Sequence, residues 1–340
     1  MEKIKVAVIG ATGAVGQVCM WMLADHPWFE VAYITASAAR INQEYAKTVH
    51  WLLPFEMPSS IKRTVIDEFN TDTMKQRGVK IVFSALPAEI AMEAEPLLRD
   101  QGFYVFSNAS ALRYDKDVPI LIPETNLSTI DMIKMQGYPD RGFVITNSNC
   151  VTAGLAMAIA PLRVFGIKEI NVCSYQSVSG AGYPGLSSFD ITDNVIPYIA
   201  KEEEKIEKEI KKILSLDPIV YTYCVRVPVM FGHLEAVWLD FEQEVEPAQI
   251  IEAWENFKDC NELPSTPNNP VVYNPSNTFP QAKSAWWGTP KGMEVYTGRL
   301  KKKERKIGFV LLVNNLVKGS AGGSIQNAEA FVTRYGLIIN

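Results

Sequence analysis

The sequence predicts an α/β protein in two parts: an N-terminal parallel sheet, then an α+β half with a mostly antiparallel sheet. Three observations carry this. Short apolar runs alternate with helix-like stretches over the first 150 residues, the pattern of a parallel sheet with right-handed crossovers. A glycine-rich turn follows the first of those runs. Beyond residue 150 the texture changes to longer strand-like runs separated by fewer helical segments.

Residues 3–9 read as a buried strand ending at Gly10. A helix follows to about residue 25, with Val15, Val18, Cys19, Met22 and Leu23 on one apolar face. Residues 29–35, 80–84, 103–106 and 143–146 are the remaining strands of the first part. Residues 151–164 are apolar on most sides and predict a buried helix. Strand-like runs then cover 169–176, 219–229, 236–241, 293–300 and 306–313. Between them, the charged stretch 201–214 carries Ile206, Ile210, Ile213 and Leu214 at helical spacing, and 324–335 is a last helix.

The bulk numbers narrow the class. A chain of 340 residues with 47% hydrophobic and 21% charged residues is ordinary for a soluble two-domain protein. A net charge of −5 without a basic run gives no reason to expect nucleic acid as a partner. No apolar stretch reaches the ~20 residues that span a bilayer, and the N-terminus has no signal-peptide pattern. The expectation is a cytoplasmic enzyme. The five cysteines, Cys19, Cys150, Cys173, Cys224 and Cys260, are odd in number with no CxxC spacing, so neither disulfides nor a metal site is expected. The histidines are His26, His50 and His233.

Gly10-Ala-Thr12-Gly13-Ala14-Val15-Gly16 joins the first strand to the first helix. There, backbone amides and a helix N-terminus hold a pyrophosphate that side chains would obstruct. This placement predicts a Rossmann-type dinucleotide-binding domain. The second strand ends Thr35-Ala-Ser37-Ala-Ala-Arg40, with hydroxyls and a cation but no carboxylate. A ribose diol is usually held by an acid at this point, so the loop favours NADP over NAD. Arg40 also reads as a solvated loop cation.

Asn147-Ser-Asn149-Cys150 places a thiol between a strand and a buried helix. A cysteine is most often a small buried residue. At a helix N-terminus, however, the dipole favours thiolate, which adds to an aldehyde and, after hydride loss, leaves a thioester. Asn149 is a candidate oxyanion donor. His233, after Gly232, is a candidate base titrating near neutrality. Arg226 and Arg113 are candidate anion clamps. Glu202 and Lys205 lie on the charged helix, where a solvated face is the competing reading.

Taken together, GATGAVG, FSALP (83–87), SNAS-A-LR (107–113), NSNC, QSVSGAGYPG (176–185), NVIPYI with EEEK (202–205), the Arg226–His233 stretch, and KGSAGGS with QNAE resemble the aspartate-semialdehyde dehydrogenases, especially the archaeal and fungal branch. The resemblance implies conversion of aspartyl phosphate to aspartate semialdehyde in lysine, threonine and methionine biosynthesis. It implies Cys150 as nucleophile, His233 as acid/base, and Gln176 as a positioning group beside Asn149. Arg226 and Glu202 would hold the substrate's carboxylate and amine, with Asn108 also at the substrate, and Arg113 and Lys205 would hold phosphate. Gly10, Thr12, Gly13, Ala14, Val15, Gly16, Ser37, Arg40, Ser84, Leu86, Pro87, Ser179, Gly180 and Asn327 would line NADP. It also implies domains at 1–149 plus 320–340 and at 150–319, and a homodimer or dimer of dimers built on the second sheet.

The sequence departs from the family pattern at Ser148, Leu234, residues 40–43 and residues 314–319, where Asn314 and Lys318 replace histidine and arginine. Two other readings stay open: a malonyl-CoA-reductase-like enzyme using the same cysteine, and a dinucleotide-sensing protein without turnover.

Overall fold

The structure, a computed structural model, describes residues 2–258 and 262–336; Cys260 lies outside them. It divides into two compact units, one of residues 1–121, 127–147 and 321–340, the other of residues 122–126 and 148–320.

The first unit contains β1 (Ile4–Ile9), α1 (Ala14–Leu23), β2 (Phe29–Thr35), α2 (Tyr45–Thr48), α3 (Thr71–Gln76), β3 (Ile81–Ser84), α4 (Ala88–Asp100), β4 (Tyr104–Ser107) and β5 (Phe143–Thr146). Its sheet runs β2-β1-β3-β4-β5, and every pairing is parallel. β3 and β5 are buried along their whole length, as strands covered on both faces must be. From β1 the chain goes first to one side (β2), then to the other (β3). That reversal opens a crevice beyond the carboxyl ends of β1 and β3, where the Gly10–Gly16 turn lies.

The second unit holds α5 (Pro123–Asn126), α6 (Cys150–Ile159), β6 (Ile167–Gln176), α7 (Ser188–Ile191), α8 (Glu202–Leu214), β7 (Ile219–Arg226), β8 (His233–Phe241), α9 (Pro247–Glu255), β9 (Val271–Asn274), β10 (Val295–Lys303) and β11 (Lys306–Val313). Its sheet runs β7-β6-β8-β11-β10-β9. The three central pairings are antiparallel, and the two edge pairings, β6–β7 and β9–β10, are parallel. Strict alternation along β8, His233 and Glu235 in, Leu234 and Ala236 less so, turns one face toward the helices. On β6 and β7 the opposite face leaves Tyr175, Ile219, Tyr221 and Tyr223 exposed.

The chain then returns to the first unit as α10 (Gly322–Tyr335). Phe331 of α10 enters an aromatic cluster with Tyr104, Phe106, Tyr138 and Phe143, and Glu329 meets buried His26 at 2.7 Å.

Some expectations shift. α1 buries Met20 and Gln17 while Val15 and Met22 are only partly covered, because α10 packs on it as well as β1 and β2. α6 stops at Ile159 and continues as a 3₁₀ turn with Pro161 at its start, since proline cannot supply the next helical hydrogen bond. β7 ends at Arg226, two residues before Pro228, and β8 begins at His233 rather than at 236. The four-residue β9, between Pro270 and Pro275, was not expected.

Candidate active site

Cys150 is the first residue of α6. The helix starts there because Asn149 caps it: Oδ1 accepts the Val151 N–H at 2.9 Å and the Thr152 N–H at 3.3 Å, filling donors that a helix end leaves unpaired. Asn149 is itself held by α8. Its Nδ2 donates to Glu202 Oε2 at 2.7 Å and its main-chain N–H to Glu209 Oε2 at 2.5 Å. Asn149 therefore caps the helix, its amide oxygen turned into α6 and its nitrogen toward Glu202.

His233 is fully buried, and its Nε2 lies 3.2 Å from Cys150 Sγ. Burial, with the Arg226 guanidinium as a further cause, pushes the imidazole down to about 3. The ring is thus uncharged at neutral pH, which corrects the expectation of a group titrating near neutrality. Gly319 packs against the cysteine: a Cβ there would come within 2.9 Å of Cys150 Cβ.

Three strands set the rest of the row. Gln176 pairs with Arg226 across β6 and β7. Tyr175 pairs with Leu234, so Gln176 and His233 are the next residues along β6 and β8. All three side chains are buried. Arg226 Nη1 donates to Ser177 O at 2.7 Å and Gln176 Nε2 to Ser174 Oγ at 3.2 Å. Gly180 lies over this row, where a Cβ would sit 2.8 Å from Arg226 Nη1 and 3.1 Å from His233 Cε1. Ser179 Oγ accepts from Asn315 Nδ2 at 2.9 Å. Lys205 Nζ donates to Glu202 Oε1 at 2.7 Å. The second unit so brings Cys150, His233, Asn149, Gln176, Arg226, Glu202, Lys205, Ser179 and Gly180 into one hydrogen-bonded neighbourhood.

The remaining candidates belong to the first unit. Gly10 has φ +79 and a Cβ would strike Ala85 O at 2.6 Å; one on Gly16 would strike Gly10 O at 2.2 Å. These two glycines are required by the turn itself. Gly13 is different. A Cβ there meets nothing nearer than Gly10 O at 3.6 Å, so its missing side chain keeps open the N-terminus of α1, which no side chain caps. Thr12, Ala14 and Val15 complete this turn. Ser84 ends β3, and Leu86 and Pro87 lead into α4, which Pro87 caps. Ser37 precedes the 3₁₀ turn that ends at Arg40. An acid does stand beside the end of β2, since Asp67 bridges to Thr35, but Arg77 holds both its oxygens at 2.6 and 2.8 Å.

Asn108 ties strand ends together, donating to Ser84 O at 2.9 Å and accepting from Asn147 Nδ2 at 2.8 Å. Arg113 is buried, with Nη2 3.4 Å from Asn108 O. Asn327 donates to Asn147 Oδ1 at 2.9 Å, while its own buried Oδ1 has no hydrogen-bond partner among the described residues.

Sequence reasoning missed Ser177, Glu209, Glu235, Asn315 and the Lys318–Glu124 pair. Lys318 Nζ meets both Glu124 oxygens, at 2.6 and 2.8 Å, with both side chains buried. Ser177 and Asn315 stand inside motifs already noted, but nothing local distinguishes them from their neighbours.

Fold and site together define a dinucleotide-binding dehydrogenase with a cysteine–histidine pair. The chain matches the semialdehyde dehydrogenase NAD-binding domain over residues 5–133 and the semialdehyde dehydrogenase dimerisation domain over residues 159–318, and it belongs to this family. An aspartate-semialdehyde dehydrogenase of Archaeoglobus fulgidus is 40% identical over 97% of this chain and 98% of its own. A malonyl-CoA reductase (NADP) of Metallosphaera sedula is 34% identical, over 97% of each chain. The crystal structure of aspartate semialdehyde dehydrogenase with NADP from Candida albicans superposes with a TM-score of 0.88 at 28% identity, covering 99% of this chain and 100% of that one.

Proposed function

We propose that this chain is an NADP-dependent phosphorylating aspartate-semialdehyde dehydrogenase that interconverts L-4-aspartyl phosphate and L-aspartate 4-semialdehyde through a Cys150 thioester. The observation that carries this reading is the 3.2 Å contact of Cys150 Sγ with His233 Nε2 at the start of a buried, capped helix. The Cys150 sulfur attacks the acyl carbon, phosphate leaves, and a thioester remains. NADP, when bound, supplies the hydride chemistry. His233 attends the proton at the sulfur and at the oxygen of the tetrahedral adduct, and collapse of that adduct releases the aldehyde and frees the sulfur.

Gln176 would orient the acyl group, Arg226 and Glu202 the substrate's carboxylate and amine, and Arg113 and Lys205 the phosphate, the Glu202–Lys205 pair opening to receive them. Asn108 and Asn149 would act by holding their neighbours. The residues fit a nicotinamide dinucleotide: Gly13 leaves the cradle that a Cβ would fill, and the orphaned Asn327 Oδ1 offers an acceptor to a carboxamide N–H. The Ser37–Arg40 turn, with Asp67 already committed to Arg77, favours a 2′-phosphate over a bare ribose. Ser84, Leu86, Pro87, Ser179 and Gly180 would complete the lining. The reading carries with it a cytoplasmic homodimeric enzyme with domains at 1–149 plus 320–340 and at 150–319. Among the described residues no helix is long and apolar enough to cross a membrane.

The Metallosphaera relative favours one alternative, in which the same thioester chemistry acts on a CoA substrate. A single assay decides. The purified chain is given semialdehyde with phosphate or CoA, and NADP or NAD, alongside Cys150→Ala. Phosphate-dependent turnover with NADP, reduced by several orders of magnitude in the variant, is expected. Turnover that ignores phosphate and saturates with CoA would replace the reading by the CoA alternative. Large residual activity in Cys150→Ala would remove the thioester.

A further inference from the structure

Two helices of the second unit close their N-terminal caps differently. In α9, Glu246 and Gln249 form a capping box within the helix, with Gln249 Oε1 accepting the Glu246 main-chain N–H at 2.9 Å. In α6 the corresponding positions are Asn149 and Thr152. Asn149 Oδ1 takes the Val151 and Thr152 N–H groups. The Thr152 hydroxyl does not reach back, being buried with no hydrogen-bond partner among the described residues. The Asn149 N–H goes instead to Glu209 Oε2, at 2.5 Å and 60 residues further along the chain.

Glu209 is placed by α8. Glu202, Ile206, Glu209, Ile210 and Ile213 are the buried stripe of that helix, so the isoleucines that dock α8 also fix where its two acids point. Glu209 is 0% exposed, and a carboxyl is costly to bury unless its oxygens are bonded. Glu202, two turns earlier, divides its bonds: Oε2 accepts from Asn149 Nδ2 and Oε1 from Lys205 Nζ, both at 2.7 Å.

Resting on the reading of Cys150 as nucleophile and Glu202 as a substrate group, we propose that Glu209 is a positioning residue for Cys150. It completes the α6 cap from α8 and keeps it closed when Glu202 releases Asn149 to take the substrate's amine. The effect falls on the next residue in the chain. Cys150 follows Asn149 directly and opens α6, where the helix field is concentrated and fades within one turn. Its Sγ lies 3.2 Å from His233 Nε2, and a Cβ on Gly319 would come within 2.9 Å of its Cβ. With neighbours this close, a displacement of about 1 Å costs up to ~100-fold in rate. The two acids have separate duties: Glu202 exchanges partners and Glu209 does not.

The test is Cys150 alkylation by iodoacetamide in the full chain, followed by mass spectrometry. Glu209→Gln and Glu209→Leu both remove the carboxyl, but only glutamine keeps an acceptor oxygen for the Asn149 N–H. Glu209→Leu should react ~10-fold or more slowly than Glu209→Gln, with its pH midpoint moved up as the thiolate loses its place at the helix end. Equal rates and equal midpoints overturn the proposal. Cys19 and Cys224 are buried and report general opening of the fold. Their labelling in step with the change at Cys150 would reduce the effect to lost stability and overturn the proposal as well.

Two further readouts do not depend on the leucine variant folding. In wild type the Asn149 amide should exchange slowly with solvent, and it should stay slow in Glu202→Ala, which loses only the side-chain tether. Fast exchange in either protein sinks the assignment. Glu202→Ala should also leave Cys150 alkylation within a few-fold of wild type; a ~10-fold fall there would give the positioning role to Glu202. None of these measurements uses the semialdehyde, so a failed substrate assignment leaves them standing.

Discussion

Two residues beyond His233 on β8, Glu235 is wholly buried and neither carboxyl oxygen has a hydrogen-bond partner among the described residues. Burial pushes its pKa well above the ordinary 4.5, so the side chain is neutral in the fold. A raised folded value means that its contribution to stability is fully present below pH 4.5 and is lost as pH rises toward the folded value. Glu235→Leu is expected to stabilise the protein by about 1–3 kcal/mol, since it removes two unpaired buried oxygens. The gain should be larger near about pH 8 than near about pH 5, as read by denaturant unfolding. A loss, or an equal gain at both, would show the carboxyl to be paired. The two arginines make a second residue-scale test, because a guanidinium fork weakens most the anion it faces when removed. Arg226→Ala should raise the Michaelis constant for the semialdehyde more than that for phosphate, and Arg113→Ala should do the reverse. The same pattern in both variants would break the division of roles between them.

At the scale of the element, α6 is the part on which the chemistry hangs. It lies against β8, β10 and β11 and against α8, and Trp254 of α9 donates to Ala158 O at 2.8 Å. Gly154, one turn beyond Cys150, lies close against the sheet. A Cβ there would meet Val313 Cβ at 2.8 Å and Glu235 Oε1 at 3.0 Å. Helix propensity alone favours Gly154→Ala by about 1 kcal/mol. Overpacking against a β-branched neighbour costs about 1–3 kcal/mol, and the sheet has little freedom to yield. The variant is therefore expected to unfold at lower temperature and to lose turnover with it. A raised melting temperature would mean that propensity outweighs the contact.

For the whole molecule, the exposed face of β6 and β7 is the feature that a single chain leaves unfinished. Tyr175, Ile219, Tyr221 and Tyr223 stand together on it, on the outermost strand pair of the sheet, and rows of exposed aromatics on a sheet mark association surfaces. The second unit matches a dimerisation domain. Tyr221→Glu combined with Tyr223→Glu should convert the sedimenting species from dimer to monomer. An unchanged dimer would move the interface elsewhere.

The parallel sheet of the first unit was legible because its strands are buried on both faces, and such burial writes a continuous apolar run into each strand separately. The Gly10–Gly16 turn and the start of α6 were legible for the same reason: a tight turn and a helix cap are built from neighbours in the chain. The mostly antiparallel second sheet followed from longer strand-like runs with few helical segments between them, although β9 was too short to register. What only tertiary structure decided is where chemistry depends on distant neighbours. His233 reaches Cys150 from 83 residues away, and Asn315 braces Ser177 across 138. Asn149 became a tether because α8 brings Glu202 and Glu209 to it. The charge state of His233 follows from desolvation by several segments at once and from the nearby Arg226. Desolvation is a sum over everything packed around a group, and no stretch of sequence contains that sum.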